Sequence, residues 1–108
     1  MSVFIIGSDH LGEIASNLKK MGCLSLTHLK GRKNIHSRNL HIPEGTDLVL
    51  VMTDYINHNI ARIIREQAKI KSIPVVFSKR SWSCLTQKLK ISGILCQDNI
   101  ENYYLTIN

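Results

Sequence analysis

Five consecutive apolar residues, Leu48-Val-Leu-Val-Met52, form the segment that most constrains the fold of this chain. A strand that is buried on both faces of a sheet has no polar face, so a short unbroken apolar run is typical of a central parallel strand. The run ends in Thr53-Asp54, and Asn57-His58 follow. We therefore predict that this strand delivers polar side chains to the start of a helix, where open α/β sheets bind ligands.

Strand-like runs alternate with helix-like stripes along the rest of the chain. The predicted strands are 3–7, 23–29, 48–52 and 73–77. The predicted helices run from a cap at 8–10 to about residue 21, from 56 to 71, and through Trp82, Leu85 and Leu89. This alternation predicts an α/β fold, a three-layer Rossmann-like or flavodoxin-like domain with a mainly parallel sheet of about 4–5 strands.

One domain accounts for most of the 108 residues. We predict a Rossmann-like domain over 1–91, with a polar, basic loop at 30–45. Residues 92–108 form a C-terminal extension, and Tyr103 to Ile107 in it favour either an edge strand or an oligomerisation arm. The pattern does not choose between these two, and we expect a homo-oligomer.

The bulk composition restricts the location and the partners of the protein. No apolar run approaches the length of a membrane helix, and the first residues read as a strand rather than a leader. Cys23, Cys84 and Cys96 are widely spaced in apolar surroundings, which favours reduced thiols in a cytoplasmic protein. The formal net charge of +6 favours an anionic small ligand or nucleic acid, and it also fits a plain basic domain.

The candidate cofactor-binding residues follow the predicted strands. Right-handed crossovers bring the ends of parallel strands to one rim of the sheet. The residues predicted there are Gly7, Ser8, Asp9, His10, His28, Thr53, Asp54, Asn57, His58, Ser78, Lys79 and Arg80. No Ser-His-Asp or Cys-His arrangement can be assigned among them, so we name no catalytic residue.

The segment from Gly7 to Gly12 resembles a shortened phosphate-binding turn. Asp9 stands where a dinucleotide-binding turn has its second glycine, so that site is weakly supported, and the chain lacks a P-loop. A helix cap with a turn glycine is the plainer interpretation. A phosphoacceptor receiver domain is disfavoured because only one Asp follows the first strand.

The five histidines show no zinc-binding spacing. His36 and His41 fall in the predicted loop, whereas His10 and His58 are predicted in the first turn after a strand. For His58, binding an iron cofactor or an anion, acid-base chemistry, and a helix-capping or core role all stay open.

Basic residues cluster in the loop and at the exit of the last predicted strand. They are Lys30, Arg32, Lys33, Arg38, Lys79 and Arg80. These side chains could contact phosphates. Binding of a single strand also needs aromatic residues on which the bases stack, and almost none is interleaved with these cations. A solvated basic loop is the alternative.

An ordered set of short motifs resembles one known family. The motifs include Phe4-Ile-Ile-Gly7, His28-Leu-Lys-Gly31, Thr53-Asp54 with Asn57-His58, and Ile73-Pro-Val-Val-Phe77. Over roughly residues 2 to 90 the chain is similar to the small bacterial family called domain of unknown function 2325. The chain departs from it at Lys30, where an acidic residue or a second His often stands, and in its extended tail.

The resemblance implies a Rossmann-like domain, with no established enzymatic role in that family. It also implies a heme cofactor that handles dioxygen or redox chemistry. The matching positions in this chain are His28, Asp54 and His58, and the two histidines are the candidate iron ligands. We therefore expect a small ligand-binding or sensor domain, with heme as the leading ligand. The alternative is a nucleotide- or nucleic-acid-binding module, and an enzyme using Asp54 and His58 as an acid-base pair is a third possibility.

Overall fold

The computed structural model describes residues 1–30, 40–54 and 56–91, and this part of the chain contains four strands and three helices in the order β-α-β-β-α-β-α. The strands are β1 (Ser2–Ile6), β2 (Ser25–Leu29), β3 (Leu48–Met52) and β4 (Val75–Ser78). The helices are α1 (Glu13–Lys20), α2 (His58–Ile70) and α3 (Trp82–Ile91). All strands pair in parallel in the order β2-β1-β3-β4, which confirms the predicted fold class.

The apolar run identified in the sequence is an interior strand. Every residue of β3 is at most 2% exposed. It pairs with β1 on one side, where Val49 lies beside Phe4, and with β4 on the other, where Val51 lies beside Phe77. Burial on both faces therefore explains why this strand contains no polar position.

The two faces of the sheet are covered by different helices. Ile14 and Leu18 of α1 and Leu85 and Leu89 of α3 pack in one apolar cluster. The opposite face packs against α2. The chain leaves β1 and β3 toward opposite faces, so the loops after these two adjacent strands diverge. This divergence is the switch point at which doubly wound sheets form a crevice.

Helix α2 carries the predicted apolar stripe. Ile60, Ile64 and Ala68 are buried at i, i+4 and i+8, so one face of the helix packs on the sheet. Asn57 is the N-cap, and its side-chain oxygen accepts a hydrogen bond from the amide of Asn59 at 2.7 Å. Helix α2 therefore begins at His58, two residues later than predicted, because Asn57 is its N-cap and is not itself helical.

The described end of the predicted polar loop contributes to the core. Leu40 and Ile42 are at most 2% exposed and pack with the cluster on the α2 side. The Gln67 side chain holds this segment: its amide nitrogen donates to the carbonyl of Leu40, and its oxygen accepts from the amide of Ile42. Residues 40–45 form no helix or strand, as predicted for this loop, but Leu40 and Ile42 are buried although the segment is mainly polar, while His41 is exposed.

Helix α1 begins at Glu13, later than predicted. Gly7 and Ser8 both have positive φ, 102° and 66°, so the chain turns before it becomes helical. Gly12 is the N-cap, and residues 8–10 do not cap the helix. The predicted end was right: Gly22 follows the last turn with φ 100°, as a C-terminal glycine does.

Some predictions fall outside the described residues. These are the C-terminal extension, His36, Cys96, and the loop residues Arg32, Lys33 and Arg38. Within the described ranges, no helix is long and apolar enough to cross a membrane. Cys23 and Cys84 are half-buried free thiols.

Candidate functional site

The carboxyl ends of the four strands meet at one edge of the sheet, which we call the carboxyl edge. The amide of Gly7 donates to the carbonyl of Leu29 at 2.9 Å, so the β1 and β2 ends are joined. The amide of Thr53 donates to the carbonyl of Ser78 at 2.9 Å, so the β3 and β4 ends are joined as well. The predicted common rim is therefore confirmed.

The turn between β1 and α1 approaches the end of β3 closely. A Cβ atom at Gly7 would lie 2.5 Å from the carbonyl oxygen of Met52, so only glycine fits. Ser8 follows with φ 66°, and its hydroxyl donates to the carbonyl of His10 at 2.8 Å. The Ser8 hydroxyl thus holds the His10 carbonyl within the turn.

His28 extends from β2 to the same turn. Its Nε2 lies 2.9 Å from the carbonyl oxygen of Gly7 and 3.0 Å from that of Ser8. Because both partners are acceptors, Nε2 carries the hydrogen and donates to the two carbonyls. His28 therefore fastens two consecutive positive-φ residues to the neighbouring strand.

Arg80 connects the end of β4 with two other loops. Its amide donates to Oδ2 of Asp54 at 2.9 Å, and its Nη1 donates to the carbonyl of His10 at 3.1 Å. Together with the contacts of His28 and Ser8, these bonds cross the whole carboxyl edge. We call this set the crossing network, and it comprises Gly7, Ser8, His10, His28, Asp54 and Arg80.

A cleft of about 510 Å³ lies beside the crossing network, between the starts of α1 and α3. Two short segments line it, one at each helix start. The lining residues are Leu11, Gly12, Glu13, Ile14, Arg80, Ser81, Trp82 and Ser83. Both helices contribute their amino ends to this cleft, and a helix amino end carries a partial positive charge.

The two helix starts differ in their capping. Ser81 accepts at its carbonyl from the amide of Leu85 at 2.9 Å, and its hydroxyl lies 3.5 Å from the amide of Cys84. Gly12 has no side chain with which to cap α1. Arg80 and Glu13 are the charged residues of the lining, one of each sign. A bound anion is therefore favoured near the guanidinium and disfavoured near the Glu13 carboxylate.

Six of the twelve predicted site residues form the crossing network. Two more, Thr53 and Ser78, are hydrogen-bonded to each other at the joined ends of β3 and β4. The other four lie around these residues. Lys79 is exposed, Asp9 is partly buried, Asn57 caps α2, and His58 is the exposed first residue of that helix.

Sequence reasoning missed most of the cleft lining. Of the eight lining residues, only Arg80 was predicted as a site residue, although Gly12 was part of the phosphate-turn motif. The signals that could have identified the rest are Gly12 and Ser81, since both precede a helix at the edge where ligands bind. Trp82 was predicted only as a residue of the last helix, and it is half-buried at the cleft wall.

The residues present fit a heme only in part. Nε2 of His28 already donates to two carbonyls, and the cleft lining contains no His, Cys, Met or Tyr side chain. His58 is exposed. Of the two predicted iron ligands, His28 and His58, only His58 can therefore bind iron without losing a hydrogen bond that the structure describes. Among the described residues, no group of three or more His, Cys, Asp or Glu side chains is placed to hold a metal ion.

Together these features define a small doubly wound α/β domain with a candidate anion-binding cleft at the carboxyl edge of its sheet. A family model described as an uncharacterized protein conserved in bacteria, domain of unknown function 2325, matches residues 2–91. The chain belongs to this family, which confirms the resemblance found in the sequence. No curated protein and no solved structure matches the chain.

Proposed function

We propose that this protein is a small ligand-binding domain that holds an anionic small molecule in the cleft between α1 and α3. The observation that carries this proposal is the position of Arg80, a cleft residue whose backbone and side chain are both tied to other loops. A guanidinium held in place loses less side-chain entropy when it binds an anion, so it binds more tightly than a mobile one.

Three features of the cleft favour an anion over a neutral ligand. Arg80 contributes a full positive charge, and the first turns of α1 and α3 contribute partial positive charges. The N-cap of α1, Gly12, makes no side-chain cap bond, so no capping oxygen of its own competes with an anion there. The formal net charge of +6 attracts anions from solution over a longer range.

The remaining lining favours a ligand with an apolar or planar part. Leu11, Ile14 and Trp82 supply apolar and aromatic surface beside the polar groups. The volume of about 510 Å³ lies within the range of small-molecule sites. A phosphate or carboxylate group attached to a ring system matches this lining, and nucleotides have this chemistry.

Heme is a more specific candidate, and it stays a prediction. Its propionates are anionic, but the cleft lining contains no histidine, so heme would bind at the start of α2 instead, with His58 as its iron ligand. His28 would keep its bonds to the turn. Reconstitution with hemin followed by absorption spectroscopy tests this. A Soret band that shifts in His58→Ala and is unchanged in His28→Gln supports the assignment. The absence of a Soret shift on reconstitution contradicts heme binding.

Nucleic-acid binding is the second candidate function. Lys30 follows β2, and Lys79 and Arg80 follow β4, so these exposed cations lie beyond the ends of the two outer strands of the sheet. If the cations after β2 and those after β4 all contact phosphates, the affinity for an oligonucleotide falls steeply as the salt concentration rises. Fluorescence anisotropy with a mixed-sequence oligonucleotide measures that slope. Flat titrations at low salt contradict this candidate.

Chemical-shift mapping tests the anion proposal on the intact chain. Inorganic pyrophosphate is added to the ¹⁵N-labelled protein at low ionic strength, and amide shifts are followed by NMR. The proposal expects saturable shifts concentrated at Gly12, Glu13 and residues 81–83. Shifts that are absent, or that scatter over all basic surface residues without saturating, contradict it. A mass spectrum of the protein as purified then identifies any retained molecule.

A further inference from the structure

His28 was predicted as a ligand residue, but its hydrogen bonds to the described part of the chain are with backbone. It lies in register with Ile5 of β1, two residues before Gly7. Its side chain extends along the strand direction and donates at 2.9 and 3.0 Å to the carbonyls of Gly7 and Ser8. Because its Nε2–H donates to two carbonyl oxygens of the turn, the His28 side chain stabilises the turn.

The turn that His28 holds is a strained one. Ser8 has φ 66° although it is not a glycine, and such residues persist only where their surroundings fix them. The backbone of Gly7 runs so close to the end of β3 that a Cβ there would lie 2.5 Å from the carbonyl oxygen of Met52. The two bonds from His28 are therefore the contacts that keep the Ser8 carbonyl oriented toward β2.

The shape of this turn fixes the position of Arg80. The hydroxyl of Ser8 donates to the His10 carbonyl at 2.8 Å, and the same carbonyl accepts from Nη1 of Arg80 at 3.1 Å. A continuous path of hydrogen bonds and covalent backbone thus runs from His28 through Ser8 and His10 to the guanidinium. Coupling between sites is carried by such contiguous networks when both ends depend on one element.

We infer that His28 is a positioning residue that sets the guanidinium of Arg80 over the cleft through the β1–α1 turn. This inference rests on the proposed function in so far as the guanidinium binds an anion. It assigns no contact between His28 and the ligand.

A double-mutant cycle with pyrophosphate as the probe tests the inference. His28→Leu removes the donor, and Arg80→Gln removes the positioned charge. We expect His28→Leu to weaken pyrophosphate binding about fivefold when Arg80 is present, and by less than about twofold in the Arg80→Gln background, because residues of one network are non-additive. Equal weakening in the two backgrounds overturns the inference.

Rescue by a conservative variant separates positioning from general destabilisation. The side-chain amide of Gln places a donor near the position of Nε2, so His28→Gln is expected to bind pyrophosphate within about twofold of the unaltered protein. Affinity in His28→Gln as low as in His28→Leu overturns the inference. If His28→Leu does not fold, His28→Asn replaces it, since its shorter side chain does not reach the turn.

A ligand-free measurement distinguishes failure of this inference from failure of the proposed function. The Nε–Hε NMR signal of Arg80 reports how restricted its guanidinium is. In His28→Leu we expect this signal to sharpen or to shift toward the chemical shift of a freely rotating arginine side chain. In His28→Gln we expect the signal of the unaltered protein. An unchanged signal in His28→Leu overturns the inference. If the unaltered protein binds no pyrophosphate, the proposed function fails, and the Arg80 signal alone decides the role of His28.

Discussion

The backbone amide of Arg80 donates a hydrogen bond to the carboxylate of Asp54 at 2.9 Å, although the two residues are 26 positions apart. This bond ties the loop after β4 to the loop after β3. Asp54 was predicted as a ligand residue, and its described contact is instead with backbone. The acidic group thus fixes the start of the segment that leads into α3 and the cleft.

Replacing Asp54 tests that tether. Asp54→Ala removes the acceptor, and we expect a loss of about 1 kcal/mol in the free energy of unfolding, typical of one partly exposed hydrogen bond. Asp54→Asn keeps an acceptor oxygen and is expected to stay within about 0.5 kcal/mol of the unaltered protein. Urea denaturation measures both. Equal losses in the two variants would show that charge, rather than the hydrogen bond, is what matters.

The close approach at Gly7 gives a matched pair of glycine variants. Gly7 and Gly22 have nearly equal φ, 102° and 100°, but a Cβ would meet the Met52 carbonyl at Gly7 and nothing within 4 Å at Gly22. Gly22→Ala then measures backbone strain, about 1–2 kcal/mol. Gly7→Ala adds the steric clash, so we expect a loss of about 3 kcal/mol or more in thermal or urea unfolding. Similar losses at the two sites would contradict the packing described for the β1 end.

The buried position of Leu40 is a second test of the fold. Leu40→Ala leaves a cavity on the α2 side of the sheet, and we expect it to lower the free energy of unfolding by about 2–4 kcal/mol. Leu24→Ala is the matched control, because Leu24 is 89% exposed and should change stability by less than about 0.5 kcal/mol. A small effect at Leu40 would place the segment outside the core.

Glu13 tests the charge arrangement of the cleft. Its carboxylate lines the cleft with Arg80 and repels an anion there. We expect Glu13→Gln to increase pyrophosphate affinity about two- to fivefold at low salt, with a smaller gain at high salt because exposed charges are screened. Glu44→Gln removes the same charge at an exposed position that does not line this cleft, and little change is expected. Weaker binding in Glu13→Gln would rule out an anion beside this side chain.

The sequence predicted what depends on local pattern. The apolar run Leu48–Met52 had to be a strand buried on both faces, and the stripe containing Ile60 and Ile64 had to face a core. The burial of Leu40 could not be predicted, because it depends on the side chain of Gln67, which is 27 residues away. The polar residues at the carboxyl ends of the strands were also predicted, because each follows directly after an apolar run in the sequence.

The roles of those polar residues could not be predicted from their positions alone. His28 and Asp54 bond to backbone in other loops, and this follows from the positive-φ turn at Gly7 and from the course of the chain after β4. Asn57 likewise caps α2. The cleft needs the starts of two helices that are far apart in sequence, so no single motif contained it.

Isothermal titration calorimetry with pyrophosphate, comparing the unaltered protein with Arg80→Gln, tests the central claim most directly. Lys69→Gln is the control, because it removes one exposed positive charge from α2, on the opposite face of the sheet. Loss of a charge-assisted contact is expected to weaken binding at least about tenfold in Arg80→Gln and less than about twofold in Lys69→Gln. Equal weakening in the two variants, or no saturable binding by the unaltered protein, would contradict an anion site in the cleft.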